Sequence, residues 1–158
     1  MSLLSFLKPN KKIYPGMLRS FIYCPGYCDM RGAIHREELS MTEKGGWIIT
    51  CVDREDCNDP LARTVYPVST EAVERFESYI LENNIADLSN RKESNDFVTD
   101  YCPWYYEINY DMSSSGGSSL ECIKIVEFRM YSAQDRELLK AFVQQYKSLK
   151  VPVTMNKI

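Results

Sequence analysis

The segment 70–83 carries the pattern that most constrains the fold, an apolar stripe at helical spacing. Its apolar residues recur at intervals of three and four, so they share one side of a helix: Val73, Phe76 and Ile80. Ser69 or Thr70 can cap the N-terminus, and Asn83-Asn84 can end the helix because asparagine tolerates the left-handed conformation. We therefore predict a helix that packs one side on another layer of structure.

Short segments rich in β-forming residues predict that this other layer is a sheet. The clearest is 104–110, in which Trp104, Tyr106 and Ile108 alternate with more polar residues. The predicted strands are 17–23, 31–39, 47–52, 104–110 and 120–131. Residues 64–68 are also expected to be extended, because Pro67 disfavours helical geometry before it, but they are not counted as a strand.

A second helix is predicted after the last strand. Ser132 and Asp135 have the spacing of a capping box, and Pro152 closes the segment. The fold class that follows is α+β, with an antiparallel sheet of about five strands and two amphipathic helices packed on it. The predicted order is β-β-β-α-β-β-α.

The length of 158 residues favours one domain. We expect a flexible N-terminal arm at 1–16, a single α+β domain at 17–151 and a C-terminal tail at 152–158. The Ser/Gly-rich stretch 113–119 has nothing to bury and is predicted to be a mobile hairpin loop.

Composition and charge indicate which classes of partner the chain is expected to bind. A composition of 44% hydrophobic and 26% charged residues is typical of a soluble globular protein. The net charge of −3 and the lack of a basic stripe predict no nucleic-acid binding. No apolar run approaches the roughly twenty residues of a spanning helix, so we expect no membrane association. Residues 1–7 are too short for a secretory signal, and the expected location is cytoplasmic.

The six cysteines, at positions 24, 28, 51, 57, 102 and 122, do not have the spacing of a zinc site. His35 is the only histidine, and the acidic loop 53–59 lacks the glycine and the final acid of an EF-hand. We therefore expect mostly reduced and buried thiols, no bound metal and no cofactor.

The segment 96–106 is the most unusual in the chain, because carboxylates precede a cluster of large aromatic residues. Strand alternation places Tyr105 and Glu107 on the face opposite Trp104 and Tyr106. Exposed tyrosines beside acids are typical of protein contacts. The leading hypothesis is a non-enzymatic protein-binding domain that uses this aromatic and acidic surface, with loop 53–60 as a further contact. Its predicted binding residues are Asp100, Tyr101, Tyr105 and Glu107.

Two other functions remain open. One is a small thiol-dependent enzyme or hydrolase that pairs His35 with Cys24, Cys28 or Cys102, although no signature of a known cysteine enzyme is present. The other is binding of a carbohydrate or small ligand on exposed tyrosines. No catalytic residue is assigned, and we expect that the chain is not an enzyme.

Overall fold

The computed structural model describes residues 17–26, 32–94, 103–111 and 120–150. The predicted N-terminal arm, the Ser/Gly loop 113–119 and the C-terminal tail lie outside these residues. So do Asp100, Tyr101, Cys28 and Cys102.

Six strands, all antiparallel to their neighbours, form one sheet in the order β4-β3-β2-β1-β5-β6. The first four precede the first helix: β1 (Met17–Cys24), β2 (Ile34–Met41), β3 (Trp47–Arg54) and β4 (Ala62–Val68). The last two follow it: β5 (Tyr105–Asp111) and β6 (Leu120–Val126). The first strand is therefore central, since it pairs with both β2 and β5.

The α+β prediction is confirmed, with six strands where about five were expected. The additional strand is β4, which contains Pro67. A proline lacks an N–H and is tolerated in sheets mainly at an edge, and β4 is an edge strand. The sixth strand is shorter than predicted and ends at Val126. Beyond it Arg129 forms an isolated bridge with Glu93.

Two helices follow the strand groups, α1 (Thr70–Glu82) and α2 (Ala133–Lys147). The side chain of Ser69 accepts a hydrogen bond from the N–H of Ala72 and caps α1. Ser132 and Asp135 form the reciprocal capping box predicted for α2. A short 3-10 helix, Ile85–Asn90, follows α1 and was not predicted.

Both helices pack on the same face of the sheet. Phe21 on β1 lies at its centre, with its ring 5.3 Å from that of Phe76 on α1 and 5.4 Å from that of Phe142 on α2. Tyr146, one turn further along α2, lies 4.9 Å from the Phe21 ring and 5.2 Å from the Tyr23 ring. This face is therefore an aromatic core, and side chains that alternate with it point to the other face, called here the open face.

Candidate functional site

Strand β5 separates its side chains as the alternation predicts. Tyr106 and Ile108 are buried on the helix-covered face, whereas Tyr105 and Glu107 lie on the open face. The cross-strand neighbours of Tyr105 are Cys24 on β1 and Val126 on β6. Of the four predicted binding residues, these two are the ones that the described structure places.

Lys124 on β6 joins Tyr105 and Glu107 into one surface. Its Nζ lies 4.6 Å from the centre of the Tyr105 ring and 3.4 Å from Oε1 of Glu107. A cation in this position is attracted by the ring and by the carboxylate together. Lys124 therefore contacts both other side chains, and the charge of Glu107 is paired with that of Lys124.

Trp104 belongs to a different environment just before β5. Its ring is half-buried and stacks on Tyr106 at 5.0 Å and on Tyr131 at 5.9 Å between centres. Tyr106 in turn stacks on Tyr23 at 5.6 Å, so four rings form a continuous row. This arrangement agrees with a structural role for Trp104.

The sequence reasoning missed a polar network at the end of the sheet where β2 begins. Its centre is Glu37 on β2, which is 2% exposed and faces the helices. Oε2 of Glu37 lies 2.8 Å from Nε2 of His35, and Oε1 accepts hydrogen bonds from Lys150 Nζ at 2.6 Å and Tyr146 Oη at 3.1 Å. The other ring nitrogen of His35, Nδ1, is bound to Asp53 on β3.

The network determines the protonation of its centre. Burial alone raises the pKa of Glu37, but hydrogen bonds from Lys150, His35 and Tyr146 outweigh it and the pKa is lowered overall. Burial, with the nearby Glu37 charge, raises the pKa of Tyr146. Glu37 is therefore a carboxylate that fastens the C-terminal end of α2 to the sheet, since Lys150 and Tyr146 both come from that end.

The described cysteines do not form the Cys–His pair of the enzyme hypothesis. Cys24 donates from Sγ to the backbone carbonyl of His35 at 3.5 Å, and both ring nitrogens of His35 are bound to carboxylates. Cys51, opposite Glu37 in the β2–β3 pairing, has its pKa raised to about 11 by burial and by the Glu37 charge. Such a thiol is a poor nucleophile near neutral pH.

The structure describes four cysteines, Cys24, Cys51, Cys57 and Cys122, and of these Cys51, Cys57 and Cys122 are free thiols. Cys24 and Cys51 are buried, whereas Cys57 and Cys122 are exposed. The expectation that most thiols would be buried is thus correct for two of these four.

The acidic loop after β3 is a local turn. Oδ1 of Asp56 accepts hydrogen bonds from the backbone N–H of Asn58 at 3.0 Å and from its side-chain amide at 3.1 Å. Asp53 is bound to His35, as described above. Within the described ranges no cluster of three His, Cys, Asp or Glu residues is arranged to hold a metal ion.

No known protein family and no curated protein sequence matches this chain. Of the helices in the described ranges, none has the length and apolar character needed to cross a membrane. The function is therefore argued from the side chains themselves.

Proposed function

We propose that this chain is a non-enzymatic domain that binds another protein through the open face of its sheet, with Tyr105 in the contact. The observation that carries the proposal is the packing of both helices on one face, which leaves Tyr105, Glu107 and Lys124 on the other. Asp100 and Tyr101, close by in the sequence, remain predicted parts of the contact.

The residues of the open face have the composition of a protein contact, with an apolar middle and charged surroundings. Ile22 and Cys24 on the central strand are buried, and Ile48 and Val52 on β3 are half-buried. Val65 on the edge strand is 46% exposed. A partner that covers Ile48, Val52 and Val65 would remove their exposed parts from water and gain the corresponding hydrophobic free energy, whereas Ile22 and Cys24 are already shielded.

Two ion pairs lie on the open face. Arg36 donates to Glu38 at 3.1 Å, Lys124 lies 3.4 Å from Glu107, and these pairs occupy opposite sides of β1. Each pair cancels its own charge, and Arg54 on β3 and Arg63 on β4 lie on the same face without an ion pair among the described residues. The partner that fits is a protein surface with an apolar centre and a mixed polar rim.

The dimensions of the face also suit a protein. Six strands about 4.8 Å apart and about seven residues long, at ~3.3 Å per residue, give a face of roughly 24 by 24 Å. That is the scale of one side of a standard interface, which buries about 800 Å² per partner. Nζ of Lys124 lies over one side of the Tyr105 ring and leaves less of that ring for a stacked sugar.

The proposal is tested with a photo-crosslinking amino acid placed at single positions of the full chain in cells. Positions 105 and 52 sample the two sides of the open face. The control position is Leu81, which is 41% exposed on α1. A captured protein is then purified, and its affinity for the unmodified chain is compared with that for Tyr105→Ala and Leu81→Ala.

We expect one protein to be captured from positions 105 and 52 but not from 81. Tyr105→Ala should weaken its affinity at least about tenfold, the effect of a central tyrosine in an interface, and Leu81→Ala should not change it. Capture of the same protein from all three positions would contradict the proposal. So would capture of nothing but a second copy of this chain, or equal affinities of the two variants.

A further inference from the structure

We infer that the chain has a second, independent binding site, a cleft between Trp104 and helix α2 that takes a small organic anion with an apolar body. The cleft has a volume of about 510 Å³. This lies within the range of roughly 300–1,000 Å³ typical of small-molecule sites. Its walls are Trp104 and Tyr131, from one end of the row of stacked rings, and one side of α2. Tyr105 is not part of its lining.

One wall of the cleft is apolar. Trp104 and Tyr131 belong to the row of stacked rings, and Leu139 and Val143 on α2 lie across from them. The phenol of Tyr131 donates to the carbonyl of Val126 at 2.5 Å, which fixes its ring. Rings held on both sides by stacking and hydrogen bonding form a preorganised surface, so the apolar body of a ligand would bind with little reordering of the protein.

The rest of the lining is basic. Arg129, Arg136 and Lys140 line the cleft together with a single carboxylate, that of Glu127. Glu127 is already engaged, since its Oε2 accepts a hydrogen bond from the backbone N–H of Trp104 at 3.2 Å. Three cations facing one occupied carboxylate give the cleft a positive potential, which favours an anionic ligand.

The cations of the cleft also lack strong partners of their own within the described ranges. Arg129 has only long contacts, 3.4 Å to the carbonyl of Arg91 and 3.5 Å to the exposed carboxylate of Glu93. Its Nε–H is buried and has no hydrogen-bond partner among the described residues. The Arg129 side chain as a whole is 25% exposed, so the accessible part of its guanidinium can take a stronger anionic partner.

The acidic residue that precedes Arg136 on α2 is engaged elsewhere. Asp135 precedes Arg136 in the chain, but it accepts two hydrogen bonds from Arg91, at 2.8 and 3.0 Å, and completes the capping box. Arg136 and Lys140 are exposed on consecutive turns of α2, and neither forms an ion pair with a carboxylate of the described residues. A carboxylate or phosphate oxygen of the ligand would take the place of the missing partner.

The site is tested with three cyclohexyl compounds that do not absorb where tryptophan does: cyclohexylacetate, cyclohexyl phosphate and the neutral cyclohexylacetamide. The chain has two tryptophans, and Trp47 is buried in the core, so a Trp47→Phe variant leaves Trp104 as the reporter. Emission from Trp104 is followed during titration of the full chain. Calorimetric titration of the wild-type protein gives the affinity without relying on that variant.

We expect saturable binding of at least one of the two anions and binding at least about tenfold weaker for the amide, since a charge-assisted hydrogen bond is lost. The double variant Arg136→Gln, Lys140→Gln should weaken anion binding by at least the same factor. The matched control Arg75→Gln, Lys147→Gln removes two helix charges outside the cleft and should leave it unchanged. The preferred anion distinguishes a carboxylate ligand from a phosphate ligand.

Equal affinity for the amide and the anions would overturn the inference, as would equal effects of the two double variants or no saturable binding of any compound. Thermal unfolding of each variant shows whether it is folded. Arg129→Lys, which keeps the charge but removes the planar guanidinium, provides a second variant and should weaken anion binding. None of these results depends on the Tyr105 surface, so failure here and failure of the protein-binding proposal are distinguishable.

Discussion

Replacement of Glu37 by alanine should destabilise the fold by about 3 kcal/mol. Removing one partner of a buried ion pair costs roughly 3–5 kcal/mol, because the other partners lose their bonds and remain desolvated. The Lys150 side chain is 25% exposed and can turn its charge toward water, so the lower end of that range applies. The hydrogen bond from Tyr146 Oη to Glu37 is buried, so this hydroxyl cannot turn toward water when Glu37 is removed.

A milder substitution and a matched control separate charge from packing. Glu37→Gln keeps the shape and one acceptor, so its cost should be about 1–2 kcal/mol. Glu38→Ala is the control, since Glu38 is the next residue of β2 and pairs with Arg36 on the open face. That exposed pair should contribute less than about 1 kcal/mol.

The pH dependence of the Glu37 contribution has a definite sign. Its pKa is lowered in the folded protein, so the stabilisation is complete above the pKa of the unfolded chain, about 4.3, and is lost as the pH falls through the folded value. Urea unfolding of wild type and Glu37→Gln should therefore differ at pH 7 and converge under acid. A loss below about 1 kcal/mol for Glu37→Ala, or one equal to that of Glu38→Ala, would refute the reasoning.

Three further predictions concern other parts of the chain. Trp104→Ala should cost about 3 kcal/mol in urea unfolding because it empties a stacked site, whereas Tyr105→Ala should cost less than half of that; equal losses would contradict it. At pH 8 a disulfide reagent should modify exposed Cys57 quickly and Cys51 only on unfolding, since a pKa of about 11 leaves roughly 0.1% thiolate. Asp135→Asn should lower stability by about 1–3 kcal/mol at pH 7, and this difference should disappear between pH ~4 and pH 2, because hydrogen bonds from Arg91 lower the Asp135 pKa to about 2.

Local patterns predicted those parts of the fold that depend on neighbouring residues. Helix α1, with its cap at Ser69, and the capping box of α2 follow from spacing within one turn, which a sequence displays directly. The left-handed conformation of Asn84, with φ of 50°, agrees with the predicted end of α1. For β4, Pro67 predicts extended backbone at 64–68, but the pairing of this segment at the sheet edge, where a proline is tolerated, depends on the β3–β4 register.

The polar network depends on distant residues, and for this reason sequence reasoning missed it. His35 and Glu37 are two residues apart, so a strand places them on the same face, and this signal was available. Asp53 joins them only through the β2–β3 register. Tyr146 lies 109 residues from Glu37 in the chain, and no local pattern indicates that they meet.

The arrangement around Tyr105 depends partly on local sequence and partly on the pairing of distant strands. Alternation in β5 was sufficient to place Tyr105 and Glu107 together on one face. Lys124, which binds both, reaches them through the pairing of β5 with β6. Local sequence does not predict the basic cleft beside Trp104, because the cleft requires Arg129 to lie near Arg136 and Lys140 of α2.

The protein-binding proposal is tested most directly by the affinity of a captured partner for two single variants. The account predicts that Tyr105→Ala weakens binding at least about tenfold, while Leu81→Ala, on the helix-covered side, binds as the wild type does. Calorimetry with purified proteins gives both values, and unfolding curves show that each variant is folded. Unchanged affinity for Tyr105→Ala, whether or not Leu81→Ala is impaired, would contradict the assignment of the open face as the binding surface.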